Sequence, residues 1–140
     1  MSKPVQEERF DYKGFPCVVL FMPMGYRCGY VGLPKSSKYY GKEYDLIPVD
    51  CHCGLTYSDN YLFGQSDKDT WWIGFDCGHC CDGFDIEKLK AYYREDKDVM
   101  AQSFFMHSYH MMINRDHNFR TTDYVKENCI GIVNQLLSER

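Results

Sequence analysis

The stretch FPCVVLFMPMGYRCGYVGLP, residues 15–34, predicts the first two strands of a sheet. Its first half is a short apolar run with β-branched residues, bounded by Gly14 and Gly25, which is typical of a buried strand. Its second half follows directly after Gly25, so a tight turn would let the two halves pair. The pattern therefore predicts a β-hairpin near the N-terminus.

Three shorter segments downstream also have strand character. They are Ile47 to Val49, Leu55 to Tyr57, and the run TWWIGFDC at residues 70–77. Gly74 inside the last run is typical of a β-bulge or of a close approach by another backbone. The polar residues 1–13 carry no such signal, and we expect them to be loosely held at their start.

The hydrophobic period becomes helical after Asp85. Ile86, Leu89 and Tyr92 recur at helical spacing, and Asp85 precedes them in the position of an N-cap. Residues 99–113 are apolar at too many positions to distinguish a helix from a strand. The middle of the chain thus predicts one helix and leaves a second element undecided.

The C-terminal segment 121–140 shows the clearest helical pattern, with Thr122 and Asp123 as cap and first-turn acid. Its apolar stripe comprises Val125, Cys129, Ile132, Val133 and Leu136. Strands first and helices last predict a single α+β domain over residues 1–140. We expect an antiparallel or mixed sheet from the N-terminal two-thirds, with this amphipathic helix packed on it.

Composition argues against several classes of partner. The net charge is −4 and no run of Lys or Arg is present, which disfavours nucleic-acid binding. No apolar stretch approaches about 20 residues, so we expect no membrane span. The start MSKPVQEERF lacks the apolar segment of a signal peptide, so we expect the protein in the cytoplasm. There the eight cysteines would be thiols or metal ligands rather than disulfides.

The run CGHC from Cys77 to Cys80 is the first of three candidate chemistries. A dithiol oxidoreductase would place Cys77 at a helix N-terminus and a cis-proline opposite it in the fold. No capping signal indicates that a helix begins at Cys77, and all five prolines precede the motif. A zinc ion held by Cys51, Cys53, Cys77 and Cys80 is the second candidate. Only one residue separates Cys51 from Cys53, fewer than the usual spacing, which weakens the zinc alternative.

A thiol nucleophile is the third candidate. Cys77 would attack, with His52 or His79 as the base and Asp76 or Asp82 as the group that orients the imidazole. The competing interpretation is that Cys77 is a small buried hydrophobe, as most cytosolic cysteines are.

Five motifs follow one another along the chain: GYVGLP (29–34), YGKEYD (40–45), HCGLTYS (52–58), WWIGFDCGHCCD (71–82) and DYV (123–125). In this order they resemble a family of small proteins encoded by bacteriophages and, as prophage or accessory genes, by bacteria. The resemblance covers most of residues 25–136 and implies no settled biochemical activity. At four positions of this chain the family pattern does not have cysteine: Cys51, Cys53, Cys80 and Cys81. The resemblance therefore implies that the family shares no zinc site or dithiol site here.

The resemblance implies a cluster of polar side chains on the two central motifs. The predicted ligand-binding residues are His52, Thr56, Tyr57, Trp72 and Asp82, and the candidate catalytic residues are Asp76, Cys77 and His79. A divalent metal such as zinc would be held by His52, Asp76, His79 and Asp82. The alternative is a buried polar network without a ligand. We expect the two motifs to meet in space.

The function expected from these observations is that of a phage- or prophage-type accessory protein. It would bind a host protein or a small polar ligand, in the contest between phage and host defence. Two alternatives remain open at this point. One is a small hydrolase that uses the His, Asp and Cys cluster with or without a divalent metal, and the other is a zinc-stapled interaction module.

Overall fold

A computed structural model describes residues 2–79, 82–112 and 119–139 and shows an antiparallel sheet followed by helices. Its strands are β1 (Val5–Tyr12), β2 (Phe15–Phe21), β3 (Arg27–Pro34), β4 (Tyr57–Asp59), β5 (Tyr61–Leu62), β6 (Gln65–Ser66) and β7 (Thr70–Asp76). Five of them form one sheet in the order β1-β2-β3-β7-β4, and β5 pairs with β6 in a separate hairpin. The predicted α+β class is confirmed, and the main sheet is antiparallel throughout.

The helices are α1 (Ile86–Tyr93), α2 (Lys97–Met112) and α3 (Thr122–Ser138), and a short 3-10 helix spans Tyr44–Leu46. The predicted packing of α3 on the sheet is confirmed, since it contacts β1, β2 and β3. Its fully buried stripe comprises Val125, Cys129, Ile132 and Val133, and Leu136 packs at the edge. The N-cap is Thr121 rather than Thr122: its hydroxyl accepts a hydrogen bond from the Tyr124 backbone N–H at 3.1 Å. No helix within the described ranges is long and apolar enough to cross a membrane.

Alternation along β2 separates the two faces of the sheet. Cys17 and Val19 belong to the core beneath α3, whereas Val18 and Leu20 belong to a second cluster on the opposite face. This second cluster is built from strands and from Leu62 in the β5–β6 hairpin. The two faces are therefore covered by different kinds of element, which matters for where a ligand has room to bind.

The N-terminal residues form an edge strand from Val5 onward, which the sequence pattern did not predict. Strand β1 pairs with β2 as far as the tight turn that joins them. Lys13 and Gly14 have φ of 49° and 88°, and a two-residue turn between antiparallel strands favours such positive values. Phe10 and Tyr12 pack against the core beneath α3.

The predicted strand at Ile47–Val49 is wrong. Both apolar side chains are buried against the α3 side of the core, but the segment is irregular, and the Val49 N–H donates to the Ile47 carbonyl instead of to a ladder. The strand predicted from Leu55 begins at Tyr57. Apolar residues in an irregular segment can thus be buried. A short apolar run in the sequence does not distinguish such a segment from a strand.

The undecided segment 99–113 belongs to helix α2 as far as Met112, and Ile113 lies outside the described residues. The predicted N-cap of α1 is confirmed, because the Asp85 carboxylate accepts a hydrogen bond from the Lys88 backbone N–H at 3.2 Å.

A buried arginine ties the sheet to the helices. Arg27 on β3 is 3% exposed, and its Nε lies 2.6 Å from Glu7 on β1. Its Nη2 lies 3.0 Å from Asp85, and its Nη1 donates to the Arg120 carbonyl at 3.1 Å. Burial raises the pKa of Glu7, but hydrogen bonds from Arg27 and Tyr92 outweigh it and hold that pKa below its ordinary value. One guanidinium therefore fixes β1, the start of α1 and the residue that precedes α3.

Gly74 marks a close approach and not a bulge. The pairing of β7 with β3 is continuous through Tyr30 and Gly74. A Cβ atom at Gly74 would lie 2.4 Å from Cδ1 of the Tyr30 ring and 2.8 Å from the Gly29 carbonyl oxygen. The Tyr30 ring therefore lies directly on the Gly74 backbone.

We predict that Gly74→Ala lowers the free energy of unfolding by about 1–3 kcal/mol, because the added methyl group overpacks the contact with Tyr30. The matched control is Gly131→Ala in α3, where a Cβ meets nothing within 4 Å. The control should raise stability by roughly 0.5–1 kcal/mol through helix propensity. Urea unfolding of the three proteins measures both changes, and equal effects of the two substitutions would contradict the close approach.

Candidate functional site

The loop at residues 50–56 and the described residues after β7 (77–79 and 82–85) meet beside the first turns of α3. The His52 and His79 rings lie 6.2 Å apart between centroids. The prediction that the two central motifs converge is therefore confirmed in its geometry. The chemistry available to these residues depends on which of their side-chain atoms already have hydrogen-bond partners.

The His52 imidazole is held at both ring nitrogens. Nδ1 lies 2.8 Å from the Tyr124 hydroxyl on α3, and Nε2 lies 2.9 Å from Oδ2 of Asp82. The His52 backbone N–H donates to the Asn128 side chain, also on α3, at 2.9 Å. The side chain is 6% exposed. Neither nitrogen is left for a metal or a substrate.

Asp82 is the centre of the cluster, and its side chain is fully buried. One oxygen accepts from His52 and from the His79 backbone N–H at 3.1 Å, and the other lies 3.0 Å from Nε of Arg120. Burial alone would raise the pKa of Asp82, but the hydrogen bonds from His52 and Arg120 lower it below the ordinary aspartate value. Such a carboxylate stays ionised and joins two loops to the start of α3.

Asp76 and His79 form the more open half of the cluster. The Asp76 carboxylate accepts from the Thr56 hydroxyl at 3.2 Å and from the Gly78 backbone N–H at 3.0 Å. Nε2 of His79 lies 3.4 Å from Asp76 and has no hydrogen bond to any described residue. Both side chains are about one-third exposed. An aspartate can orient an imidazole in this way, but a third, nucleophilic partner is needed for acyl transfer.

Cys77 does not meet the requirements of that nucleophile. It is 1% exposed within the core beneath α3, and burial raises the pKa of its thiol well above the ordinary value, with nearby Asp82 adding to the effect. A reactive cysteine needs the opposite environment, exposed and electropositive. The geometry thus favours the competing interpretation, a small buried hydrophobe.

The proposed metal ligands are likewise scattered or engaged. Cys51 packs against the core and Cys53 is exposed, with a left-handed φ of 54°, while Cys80 and Cys81 lie outside the described residues. Within the part of the chain that the structure describes, no three His, Cys, Asp or Glu side chains are arranged to hold a metal ion. The thiols of Cys17, Cys28, Cys51, Cys77 and Cys129 are free.

Tyr57 and Trp72 were predicted to join the polar cluster, but they belong to the other face of the sheet. The Tyr57 ring contacts the Tyr30 ring edge to face at 5.4 Å. Trp72 is 5% exposed, and the guanidinium of Arg9 lies over its ring at 5.7 Å from the centroid. The structure thus divides the predicted ligand residues between the two faces of the sheet.

Tyr57 lines a groove that sequence reasoning missed. The groove has a volume of about 520 Å³. Its walls are the sheet face, the β5–β6 hairpin and the N-terminal residues, and the lining comprises Ser2, Lys3, Pro4, Leu20, Met22, Tyr30, Tyr57, Tyr61, Leu62, Phe63 and Gly64. Small-molecule sites in proteins have this size and this mainly apolar, aromatic lining.

The turn of the β5–β6 hairpin presents aromatic rings to this groove. Phe63 and Gly64 have φ of 51° and 80°, and a left-handed φ is uncommon and unfavourable for a bulky residue such as Phe63. Tyr61 and Phe63 remain 48% and 43% exposed. The segment YLFG (61–64) was the available sequence signal, because it places an aromatic residue where a turn would favour Asn or Asp before glycine.

A second cleft of about 560 Å³ lies between α1 and the start of α3. It is lined by charged and hydroxyl side chains, and Arg27 within it is already paired with Asp85. Phe119 is the one aromatic residue among its described lining residues, whereas four aromatic residues line the groove.

Comparison of the chain with models of protein families, with curated proteins and with solved structures gives no match. The resemblance to phage and bacterial proteins described above thus stays a prediction.

We predict that Asp82→Asn lowers the free energy of unfolding by about 1–3 kcal/mol at pH 7, because it leaves buried hydrogen-bonding groups imperfectly paired. The same change at the more exposed Asp76 is the control and should cost less than about 1 kcal/mol.

The stability difference between the wild type and Asp82→Asn should also depend on pH. The pKa of Asp82 is lowered in the folded state. Its contribution is therefore complete above the unfolded value, near 3.9, and is lost as the pH falls through the folded pKa. Urea unfolding between about pH 7 and pH 3 measures the difference. A difference that grows in acid would contradict the network.

Proposed function

We propose that this protein acts by binding and not by turnover, and that its site is the aromatic groove on the sheet face opposite α3. The observation that carries the proposal is the set of aromatic side chains brought to one concavity from separate elements. Tyr30 comes from β3, Tyr57 from β4, and Tyr61 and Phe63 from the β5–β6 hairpin. Residues far apart in sequence thus contribute aromatic rings to the same groove.

The strained turn supports a ligand-binding role for the groove. Holding Phe63 at a positive φ costs of order 1 kcal/mol, and such strain is often found at functional sites. The backbone of neighbouring Tyr61 is anchored, because its carbonyl accepts a hydrogen bond from the Tyr57 hydroxyl. The hairpin is therefore fixed in a position that keeps two aromatic side chains partly in solvent.

The lining indicates the chemistry of the ligand. A planar aromatic molecule suits the rings, because stacked and edge-to-face contacts add to the apolar area that is buried. Lys3 is the one charged residue among the lining residues, and no described carboxylate pairs with it. We therefore assign the groove to a small aromatic molecule that carries a negative charge, a more apolar ligand than the sequence predicts.

The polar cluster supports this choice, because its central side chains already have partners. His52 has both nitrogens engaged, Asp82 is buried among three donors, and burial disfavours the thiolate of Cys77. A hydrolase that uses Cys77 would lack an activated protein nucleophile, and a zinc module would lack a free imidazole at His52. The cluster instead has the features of a network that joins loops to α3.

The biological setting remains part of the proposal. The order of motifs supports an accessory protein of phage or prophage type in a bacterial cytoplasm, where a binding protein of this size would act on a host protein or sequester a small molecule. The groove favours the small molecule.

We predict that the fluorescent anion 8-anilinonaphthalene-1-sulfonate binds the folded protein at one saturable site. Tyr61→Ser should weaken this binding about tenfold, because it removes one wall of the groove. Lys3→Gln should weaken it about two- to fivefold through the lost charge. The neutral probe N-phenyl-1-naphthylamine should respond to Tyr61→Ser but not to Lys3→Gln.

Tyr44→Ser is the matched control, since Tyr44 is 40% exposed and lies in the 3-10 helix, outside the groove. Near-ultraviolet circular dichroism of each variant checks that the probe reports on native protein, because molten states also bind this dye. Binding that is unchanged by Tyr61→Ser, or equally weakened by Tyr44→Ser, would rule out the groove as the site.

A further inference from the structure

Helix α2 exposes two phenylalanines side by side on its outer surface. Phe104 and Phe105 are 70% and 72% exposed, and their rings contact each other edge to face at 6.2 Å. Few other large apolar side chains in the described ranges are as exposed as these. Isolated exposed apolar residues are ordinary, whereas two adjacent exposed aromatic side chains form a patch of the kind that is often a contact surface.

The exposed residues of α2 around this pair form one helix face. Ala101, Phe104, Phe105 and Ser108 are all exposed and follow the spacing i, i+3, i+4, i+7. The opposite side of the helix faces inward, since Val99 and Ser103 are buried. From residue 99 to residue 112 the sequence contains no Asp, Glu, Lys or Arg. We call the four exposed residues the α2 face.

The α2 face has the same size pattern in both directions along the helix: small, large, large, small. A two-fold axis that passes between Phe104 and Phe105 would place Phe104 against Phe105 of a second copy. The same axis would place Ala101 against Ser108, and small residues at both ends let two helix axes approach closely. A surface that is complementary to itself is what an isologous interface requires.

We propose that the α2 face is the interface of a symmetric homodimer, with two α2 helices packed antiparallel. Each chain has a net charge of −4, but the α2 face itself carries no charge. A symmetric contact through this face therefore brings no like charges together at its centre. The two rings supply about 300 Å² of apolar surface per chain. This area is below that of standard stable interfaces, so the dimer is a weak one that forms at micromolar or higher concentration.

Sedimentation velocity of the full chain across about 5 µM to 1 mM tests the proposal. The wild type should shift from monomer to dimer and stop at two, because a two-fold interface closes. Phe104→Glu should raise the dimer dissociation constant more than about tenfold. Leu46→Glu is the matched control, because Leu46 is 64% exposed on the 3-10 helix, and it should leave the dissociation constant unchanged.

Charge complementation tests the antiparallel geometry itself. Phe104→Glu and Phe105→Lys should each dimerise poorly alone, and an equimolar mixture should form a heterodimer, because residue 104 of one chain faces residue 105 of the other. This mixture also keeps the test decisive if one variant is slightly destabilised.

Three results would overturn the proposal. A wild type that stays monomeric throughout the concentration range would leave the α2 face to a different protein. A dimer that persists in Phe104→Glu would place the interface elsewhere, as would equal dissociation by Leu46→Glu. Open-ended assembly would exclude the two-fold arrangement. None of these results bears on probe binding in the groove.

Discussion

The buried guanidinium of Arg27 is the interaction on which the rest of the structure depends. Removing such a charge from water costs several kcal/mol unless partners surround it, so Glu7 and Asp85 must both be in place. Glu7 brings β1 to the sheet, and Asp85 simultaneously caps α1. Because the partners come from separate segments, they can be satisfied together only when sheet and helices have their native arrangement.

Arg120 transmits this constraint to the polar cluster. Its carbonyl accepts from Arg27, while its guanidinium lies 3.0 Å from Asp82. Asp82 in turn holds His52, and His52 reaches Tyr124 on α3. Two networks therefore share one residue just before α3, and together they fix the loop that precedes β4 and the loop that follows β7. The polar residues that attract attention in the sequence are used mainly to hold the fold.

Local pattern predicted the elements whose determinants lie close together in sequence. The β2–β3 hairpin and the buried stripe of α3 follow from apolar periodicity, and the Asp85 cap follows from its position before a helical run. Strand β1 was missed because its pairing depends on the turn at Lys13 and on the contact between Glu7 and Arg27, 20 residues apart. The convergence of the two loops was predictable, but the closure of His52 was not, since Tyr124 is 72 residues away.

One face of the sheet is covered by α3 and the other by the β5–β6 hairpin. This difference explains why a ligand site would lie where the sequence pattern does not indicate one. On the α3 side, the central groups of the polar cluster are paired and apolar residues interlock, and the cleft beside the start of α3 is lined mainly by charged and hydroxyl side chains. On the opposite face the β5–β6 hairpin covers only part of the surface, and its strained Phe63 leaves a concavity beside Tyr30 and Tyr57. Aromatic rings in such a place look like ordinary core residues in the sequence. Their partial exposure arises because no other element packs fully over them, and only the three-dimensional structure shows this.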